Sequence, residues 1–485
     1  MTGNAEFQEK RWLALILLAA AQFVVVLDAS IVNVALPTIG KALDFSDGNL
    51  PWIVNAYVLT FGGFLLLGGR TADLLGRRRV FMAGLMLVAV ASLAAGFAAT
   101  EAQLIAARAA QGLGAAIISP AALSIVTTIF KDGAERNKAL GVWGAVAGAG
   151  GAAGVLLGGI LTDGLGWEWV LWVNVPVSLI AFALAPRLIA ESRASDQARA
   201  FDVAGAVTVT AALSLLVYAV IDASEAGWGS TKTVGLIALA LVLLAAFVAI
   251  ELRSRKPLVP FSIFRIRTLT GANVVGILVG ASLFSMFFFI SLYMQQVLGY
   301  SAIHAGLSYL PLALTISLAA GVASQLVTTL GYKTVLAAGL LFIVAGLLWF
   351  SRVSVGGGFT TDILGPSLLA AIGLGFSFVT TTIAAVSGVE EEESGLASGL
   401  INTSQQVGGA LGLAVLSSLA TTHTEDLLGS GSGLKHALTE GFQIAFLGGA
   451  AIAALGFVLT LVLIKGSDSR AHVEIGHAEA EGAEA

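Results

Sequence analysis

The stretch Leu27-Asp-Ala-Ser-Ile-Val-Asn-Val-Ala-Leu-Pro37 puts one carboxylate, Asp28, inside the first long apolar run, Trp12 to Leu36. An ionised Asp at membrane depth costs several kcal/mol, about 2.5–3.5 on insertion scales. A chain that carries one there uses it for a proton relay, an ion pathway or a buried ion pair. A second such group is Arg108, in Leu104-Ile-Ala-Ala-Arg-Ala-Ala-Gln-Gly-Leu-Gly-Ala-Ala116. Arg108 and Gln111 are spaced to share a helix face. Asp28 lies about 24 Å along its run if that run is helical. Arg108 lies in the outer third of a run of opposite direction, so the two charges sit at similar depth. Asp28 is a candidate for a proton relay; the plainer alternative is that it pairs with a buried base and only locks two helices.

The segment Gly69-Arg-Thr-Ala-Asp-Leu-Leu-Gly-Arg-Arg-Arg79 joins the second and third runs. Gly69 and Gly76 permit close approach and a tight turn. Asp73 suits a helix start or an ion pair, and successive Arg residues suit a carboxylate, a helix C-terminus or anionic lipid. Gly69, Asp73, Gly76, Arg77 and Arg78 are read as a conformational latch, and Arg79 as simple anchoring. Gly141, Gly144, Gly148, Gly150, Gly151, Gly154, Gly158 and Gly159 crowd one run, where small residues let helices pack closely or slide. Polar residues within apolar runs include Gln22, Asn33, Asn55, Tyr57, Gln111, Asn402, Gln405 and Gln406. They are candidates for a substrate cavity, or for bridges between helices. Gln22 and Asn33 share a face that Asp28 does not, so separate proton and substrate sites are expected.

Other chemistry finds no footing. The chain has no Cys, so thiol catalysis, disulfides and Cys-metal sites are excluded, and its five His are scattered without metal-ligand spacing. No metal site and no catalytic residue is expected, and the chain is not read as an enzyme. No phosphate loop is present, so ATP is not the direct energy source. No basic patch suggests nucleic acid.

The elements that must position these residues are membrane helices. Hydrophobic residues make up 57% of the 485 and charged residues 11%, with a mean hydropathy of +0.91, whereas a soluble chain is about 25% charged. A helical span needs about 20 apolar residues. Fourteen runs qualify, near 12–36, 51–69, 80–99, 103–129, 139–161, 169–189, 203–222, 233–251, 269–293, 305–328, 334–351, 363–387, 397–420 and 441–464. With the N-terminus inside, only Lys41, Lys232, Arg352 and Lys435 face outward, and Arg108 lies within a run. The remaining Lys and Arg face the cytoplasm, as the positive-inside rule expects, with both termini cytoplasmic.

The chain also repeats. Segment 76–85 resembles 331–340, and Gly141, Gly150, Gly151, Ala152 and Gly154 match Gly399, Gly408, Gly409, Ala410 and Gly412. The expected organisation is an N-terminal six-helix bundle (1–190), an inserted transmembrane hairpin (191–265), a C-terminal six-helix bundle (266–465) and a disordered cytoplasmic tail (466–485). Two related bundles around a central site suit alternating access. The acidic run Glu390–Glu393 is read as a solvated loop.

Together these motifs resemble the major facilitator superfamily, and within it the fourteen-span drug:proton antiporter branch of the EmrB/QacA type. Leu27–Pro37 resembles that branch's first-span motif, Gly69–Arg79 the superfamily's loop motif, and 104–116 its proton-coupling motif. Gly141, Gly150, Gly154, Gly158 and Gly159 resemble the antiporter motif, with Val155 where Pro usually follows the third Gly. Trp167-Glu-Trp-Val-Leu-Trp-Val-Asn-Val-Pro176, Tyr293-Met-Gln-Gln-Val-Leu-Gly299 and Gly395–Gly412 also resemble the branch. The resemblance implies an all-α polytopic protein with the major facilitator fold. It implies a proton-coupled antiporter that exports amphipathic small molecules (drugs, antibiotics or antiseptics) across the cytoplasmic membrane, with Asp28 and Arg108 coupling the proton. No cofactor is expected beyond the proton gradient. The expected partners are a small-molecule substrate, protons and the lipid bilayer, with no nucleic acid and no ATP, the chain acting as a monomer. The alternatives are a nutrient importer or facilitator on the same fold, or a membrane sensor without flux.

The topology is testable by tagging. Tags at 48 or 430 are expected to be reached from outside intact cells, and tags at 195 or 391 only from within. Finding 48 and 195 on one side would overturn the fourteen-span arrangement.

Overall fold

The computed structural model describes residues 10–45, 50, 52–130, 133–192, 202–254, 257, 259–390, 393–466 and 469. Among them are helices and connecting turns, and no strand. In chain order the α-helices are α1 (Arg11–Ala42), α2 (Trp52–Leu75), α3 (Arg77–Gly96), α4 (Glu101–Ile129), α5 (Ala134–Gly164), α6 (Glu168–Trp172), α7 (Asn174–Leu188), α8 (Val203–Ala226), α9 (Thr231–Arg253), α10 (Arg267–Leu292), α11 (Ala302–Ser308), α12 (Leu310–Phe350), α13 (Leu364–Val386), α14 (Ser394–Gly429) and α15 (Leu434–Leu463). Tagging positions 48, 195 and 391 lie outside the described residues, as does the expected tail apart from Gly466 and Ser469.

Several helix starts follow from their first residues. Thr100 Oγ1 accepts from Gln103 N at 3.3 Å while Ala99 N donates to Gln103 Oε1 at 2.9 Å, a reciprocal cap for α4. Asp202 caps α8 by accepting from Gly205 N at 2.7 Å, and Ser230 caps α9 by accepting from Thr233 N at 3.2 Å. Outward faces are apolar, as Leu241, Val242 and Leu252 of α9 and Val458, Leu461 and Val462 of α15 show. A helix apolar on every side suits lipid rather than water.

Among the described residues ten helices are long and apolar enough to cross a membrane, and the bent α5 makes eleven. The fourteen runs of the sequence map onto fewer elements for local reasons. Runs 305–328 and 334–351 fall in one 41-residue element, α12, where only Gly331 is non-helical. Run 203–222 is α8, whose apolar stretch, Ala204–Val220, is short. Run 397–420 lies in α14, where Gly, Ser, Thr and Gln dilute the apolar character.

Two compact units are present. The first holds Met1–Lys131, Gly150–Ile266 and Gly388–Thr403. It contains α1 to α4, the second half of α5, α6 to α9 and the first turns of α14. Within it α8 lies on α2, where Gly63 leaves room for Ser214 and Trp52 stacks on Tyr218 with centroids 5.7 Å apart. The second unit holds Asp132–Ala149, Arg267–Ser387 and Ser404–Ala485. Within it α12 packs on α13 and α15, Gly141 leaves room for Ser324, and Gly408 lies on the backbone at Ile277.

The internal repeat has a backbone counterpart. Gly76 separates α2 from α3 at φ +109°, and its sequence match, Gly331, breaks α12 at φ +76°. Both are left-handed positions that favour glycine. In each unit a later segment covers this glycine: Glu191 stands over Gly76, and Ser469 over Gly331.

Candidate functional site

Asp28 lies at mid-helix in α1, and the first unit brings four more helices to it. Its side chain is 2% exposed, and that of Arg108 on α4 is 0% exposed. Arg108 Nη1 donates to Asp28 Oδ2 at 2.7 Å. Gln111, one turn along α4, donates from Nε2 to Asp28 Oδ1 at 3.2 Å. Asn174, the first residue of α7, donates from Nδ2 to the same Oδ1 at 2.5 Å. Bonds to a charged group contribute about 1.5–3 kcal/mol each, so these three together are of the size needed to offset the burial of a carboxylate.

The donors are themselves held. Arg108 Nε donates to the carbonyl of Ile53 on α2 at 2.9 Å, and Arg108 Nη1 also reaches Gln111 Oε1 at 2.9 Å. The guanidinium carbon lies 4.6 Å from the centroid of the Tyr57 ring, a cation–π distance. Tyr57 donates its hydroxyl to Val25 O at 2.9 Å, tying α2 to α1. Gln111 Nε2 donates to Ser92 Oγ of α3 at 2.7 Å. An apolar cluster that includes Leu27, Ile31, Leu104, Ala107, Val170 and Leu171 packs beside the network.

The glycine stripe of α5 explains how a further helix closes on α1. A Cβ at Gly150 would meet Val26, one at Gly154 would meet Ser30 and Ile31, and one at Gly158 would lie 2.6 Å from Ile31 O. Ser30 Oγ donates to Gly150 O at 3.4 Å, and Gly159 is buried. The stripe therefore lies against the turns of α1 on either side of Asp28. Gly141, from the same motif, belongs to the second unit and faces Ser324.

A second charged cluster sits where α2 ends. Asp73 is fully buried and accepts from Gly395 N at 3.2 Å and Leu396 N at 3.1 Å, in the first turn of α14. A carboxylate at a helix N-terminus satisfies free N–H groups and complements the helix dipole. Arg77 Nη2 donates to Asp73 Oδ1 at 3.1 Å, and Arg77 Nη1 to Thr128 Oγ1 at 2.7 Å. Arg78 N donates to Glu191 Oε1 at 3.2 Å and Arg78 Nη1 to Ile189 O at 3.1 Å. Arg79 is 70% exposed and lies 3.6 Å from Glu191 Oε2. Gly69 lies against the backbone of Gly395.

The polar residues expected in a cavity divide. Tyr57 and Gln111 are built into the Asp28 network. Gln22 is buried, and its Oε1 has no hydrogen-bond partner among the described residues. Asn33 is exposed and donates to carbonyls of its own helix, Ala29 and Ser30. Asn402 donates to Ser398 O at 2.8 Å; Gln405 is buried with Nε2 unpartnered among the described residues. Asn55 and Gln406 are half-buried. The residue that sequence reasoning missed is Asn174. Its only signal was its place in the Trp167–Pro176 motif.

Residues 18–413 match the Major Facilitator Superfamily. The chain is 41% identical over 466 residues to the cephamycin export protein CmcT of Amycolatopsis lactamdurans, covering 95% of this chain and 94% of that one. It is 38% identical over 469 residues to the puromycin resistance protein pur8 of Streptomyces alboniger, covering 95% and 92%. Among solved structures, the human organic anion transporter MFSD10 superposes with a TM-score of 0.65 at 17% identity, over 93% of this chain and 99% of that one; that likeness concerns the fold alone.

The buried pair makes a stability prediction. Arg108→Met keeps an unbranched apolar side chain but leaves Asp28 without its cation, a loss expected to cost about 3–5 kcal/mol. A thermal melt of the detergent-solubilised protein should show it. Adding Asp28→Asn should restore most of the lost stability; a double variant no more stable than Arg108→Met would mean that the charge of Asp28 is not what Arg108 compensates.

Proposed function

The chain belongs to the Major Facilitator Superfamily, and from that premise we propose that it exports amphipathic small molecules of the antibiotic or drug class in exchange for protons. Support for export comes from relatives named as antibiotic export and resistance proteins. Support for proton coupling comes from one observation: a carboxylate only 2% exposed is paired with one buried guanidinium at 2.7 Å. In this reading Asp28 takes up a proton when the site opens outward and releases it when the site opens inward. Arg108 holds the ionised carboxylate in the interval, and Gln111 fixes its orientation. The energetics suffice: one charge moving down roughly 150 mV supplies about 3.5 kcal/mol, whereas a hundredfold gradient of neutral substrate costs about 2.7 kcal/mol. Gln22, Asn33, Asn55, Asn402, Gln405 and Gln406 remain the candidates for substrate contact.

The same reading assigns fourteen spans and the fourteen-span antiporter branch. A straight 41-residue helix would be about 62 Å long, twice the hydrocarbon thickness. Gly331 divides α12 into two stretches of bilayer length. Counting these separately, and adding α5, α8 and α14 to the others, gives fourteen, with both termini in the cytoplasm of the cytoplasmic membrane. Asp73, Arg77 and Arg78 form the latch: the carboxylate holds the start of α14, and transport requires these bonds to break and re-form.

Two measurements bear on this. Asp28→Asn should still insert, since a neutral side chain costs less in the membrane, but should melt at a lower temperature because Arg108 loses its buried carboxylate; the folded protein should still bind neutral substrate. In proteoliposomes it should neither concentrate substrate against a gradient nor release protons when substrate is added; pumping at wild-type stoichiometry by a well-expressed variant would end the coupling hypothesis. Asp73→Asn should slow turnover by roughly tenfold, equivalent to about 1.4 kcal/mol, with substrate affinity nearly intact. A tenfold loss of affinity at normal turnover would instead place Asp73 in substrate binding.

A further inference from the structure

We infer that Asn174 is a positioning residue for the proton on Asp28, turning its side-chain amide so that it serves both protonation states. The inference rests on the reading of Asp28 as the proton carrier. Asp28 Oδ2 is engaged by Arg108 Nη1 at 2.7 Å, which leaves Oδ1 as the oxygen to be protonated. When ionised, Oδ1 accepts from Gln111 Nε2 at 3.2 Å and from Asn174 Nδ2 at 2.5 Å. Once protonated, Oδ1 is itself a donor and needs an acceptor.

Neither neighbour on α4 supplies one. A guanidinium has no acceptor atom. Gln111 is fixed at both ends of its amide: Oε1 accepts from Arg108 Nη1 at 2.9 Å, and Nε2 donates to Ser92 Oγ at 2.7 Å. Turning it would set an N–H donor against the donor-only guanidinium and forfeit the Arg108 bond. Asn174 differs. It is 0% exposed, and its Oδ1 has no hydrogen-bond partner among the described residues. Buried polar atoms are seldom left so. A half-turn of this amide exchanges Nδ2 for Oδ1 in front of Asp28 and breaks no bond other than the one it replaces. The proton arrives on Oδ1, the carboxylate becomes the acid, and Asn174 passes from N–H donor to C=O acceptor with its own covalent bonds unchanged.

Infrared difference spectra between low and high pH test this on wild-type protein in lipid, with and without asparagine labelled with carbon-13 at the side-chain carbonyl. The expected spectrum contains an acid C=O band that Asp28→Asn removes. It also contains a label-sensitive amide C=O band that moves to lower frequency on protonation, because its oxygen gains a hydrogen bond, and that Asn174→Ser removes. Absence of the Asp28 acid band would withdraw the reading of Asp28 itself. An acid band without the asparagine band would overturn this inference alone. Transport gives an independent measure. Asn174→Ser, whose shorter side chain still both donates and accepts through its hydroxyl, should retain more proton-coupled uptake than Asn174→Val. Asn174→Val, which does neither, should lower it by about tenfold, the factor for one buried hydrogen bond; a Val variant that couples like wild type would overturn the assignment.

Discussion

A carboxylate surrounded by apolar helices is tolerated only where donors reach it from more than one direction, and Asp28 sets that requirement for the whole first unit. Arg108 and Gln111 approach it from α4, and Asn174 from α7. Each of the α4 donors needs its own anchor: the carbonyl of Ile53 on α2 holds Arg108, and Ser92 on α3 holds Gln111. Five helices are thus tied to a single charge. Removing one partner from such a network leaves the others buried without compensation, so the arrangement is costly to alter in part.

The same economy governs the end of α2. Asp73 sits at the first turn of α14, where backbone N–H groups have no helical acceptor. Arg77 closes the charge from the other side, and Gly76 supplies the left-handed turn that brings the two together. Close approach here and along α5 depends on side chains that are absent. At Gly69 and Gly158 a Cβ would run into the backbone of the neighbouring helix, and at Gly154 into the Ser30 side chain. Small residues therefore decide which helices touch, while the charged residues decide where along their length they are held.

How legible this was varied with the kind of information. The long apolar runs, the positions of Asp28 and Arg108 within them, and the repeat linking Gly76 to Gly331 were all open to direct reading. The number of separate spans was harder, because α12 continues through Gly331 and α14 carries Gly, Ser and Thr where lipid-facing residues would be expected. What each polar residue within the runs touches was the least legible: Tyr57 and Gln111 join the charge network, and Asn33 donates to its own helix.

The physical reason lies in the solvent. In water a helix shows which face is buried by the stripe of apolar residues it carries. In lipid the outside is as apolar as the inside, so the rotation of each helix leaves little trace in its residues. By itself the sequence determined which stretches are helices, how far along its helix each charge lies and which segments repeat, since these depend on length, composition and order along the chain. Only the tertiary structure decided that Asn174, 146 positions from Asp28, completes its hydrogen bonds, because that follows from the rotation and register of α7 against α1.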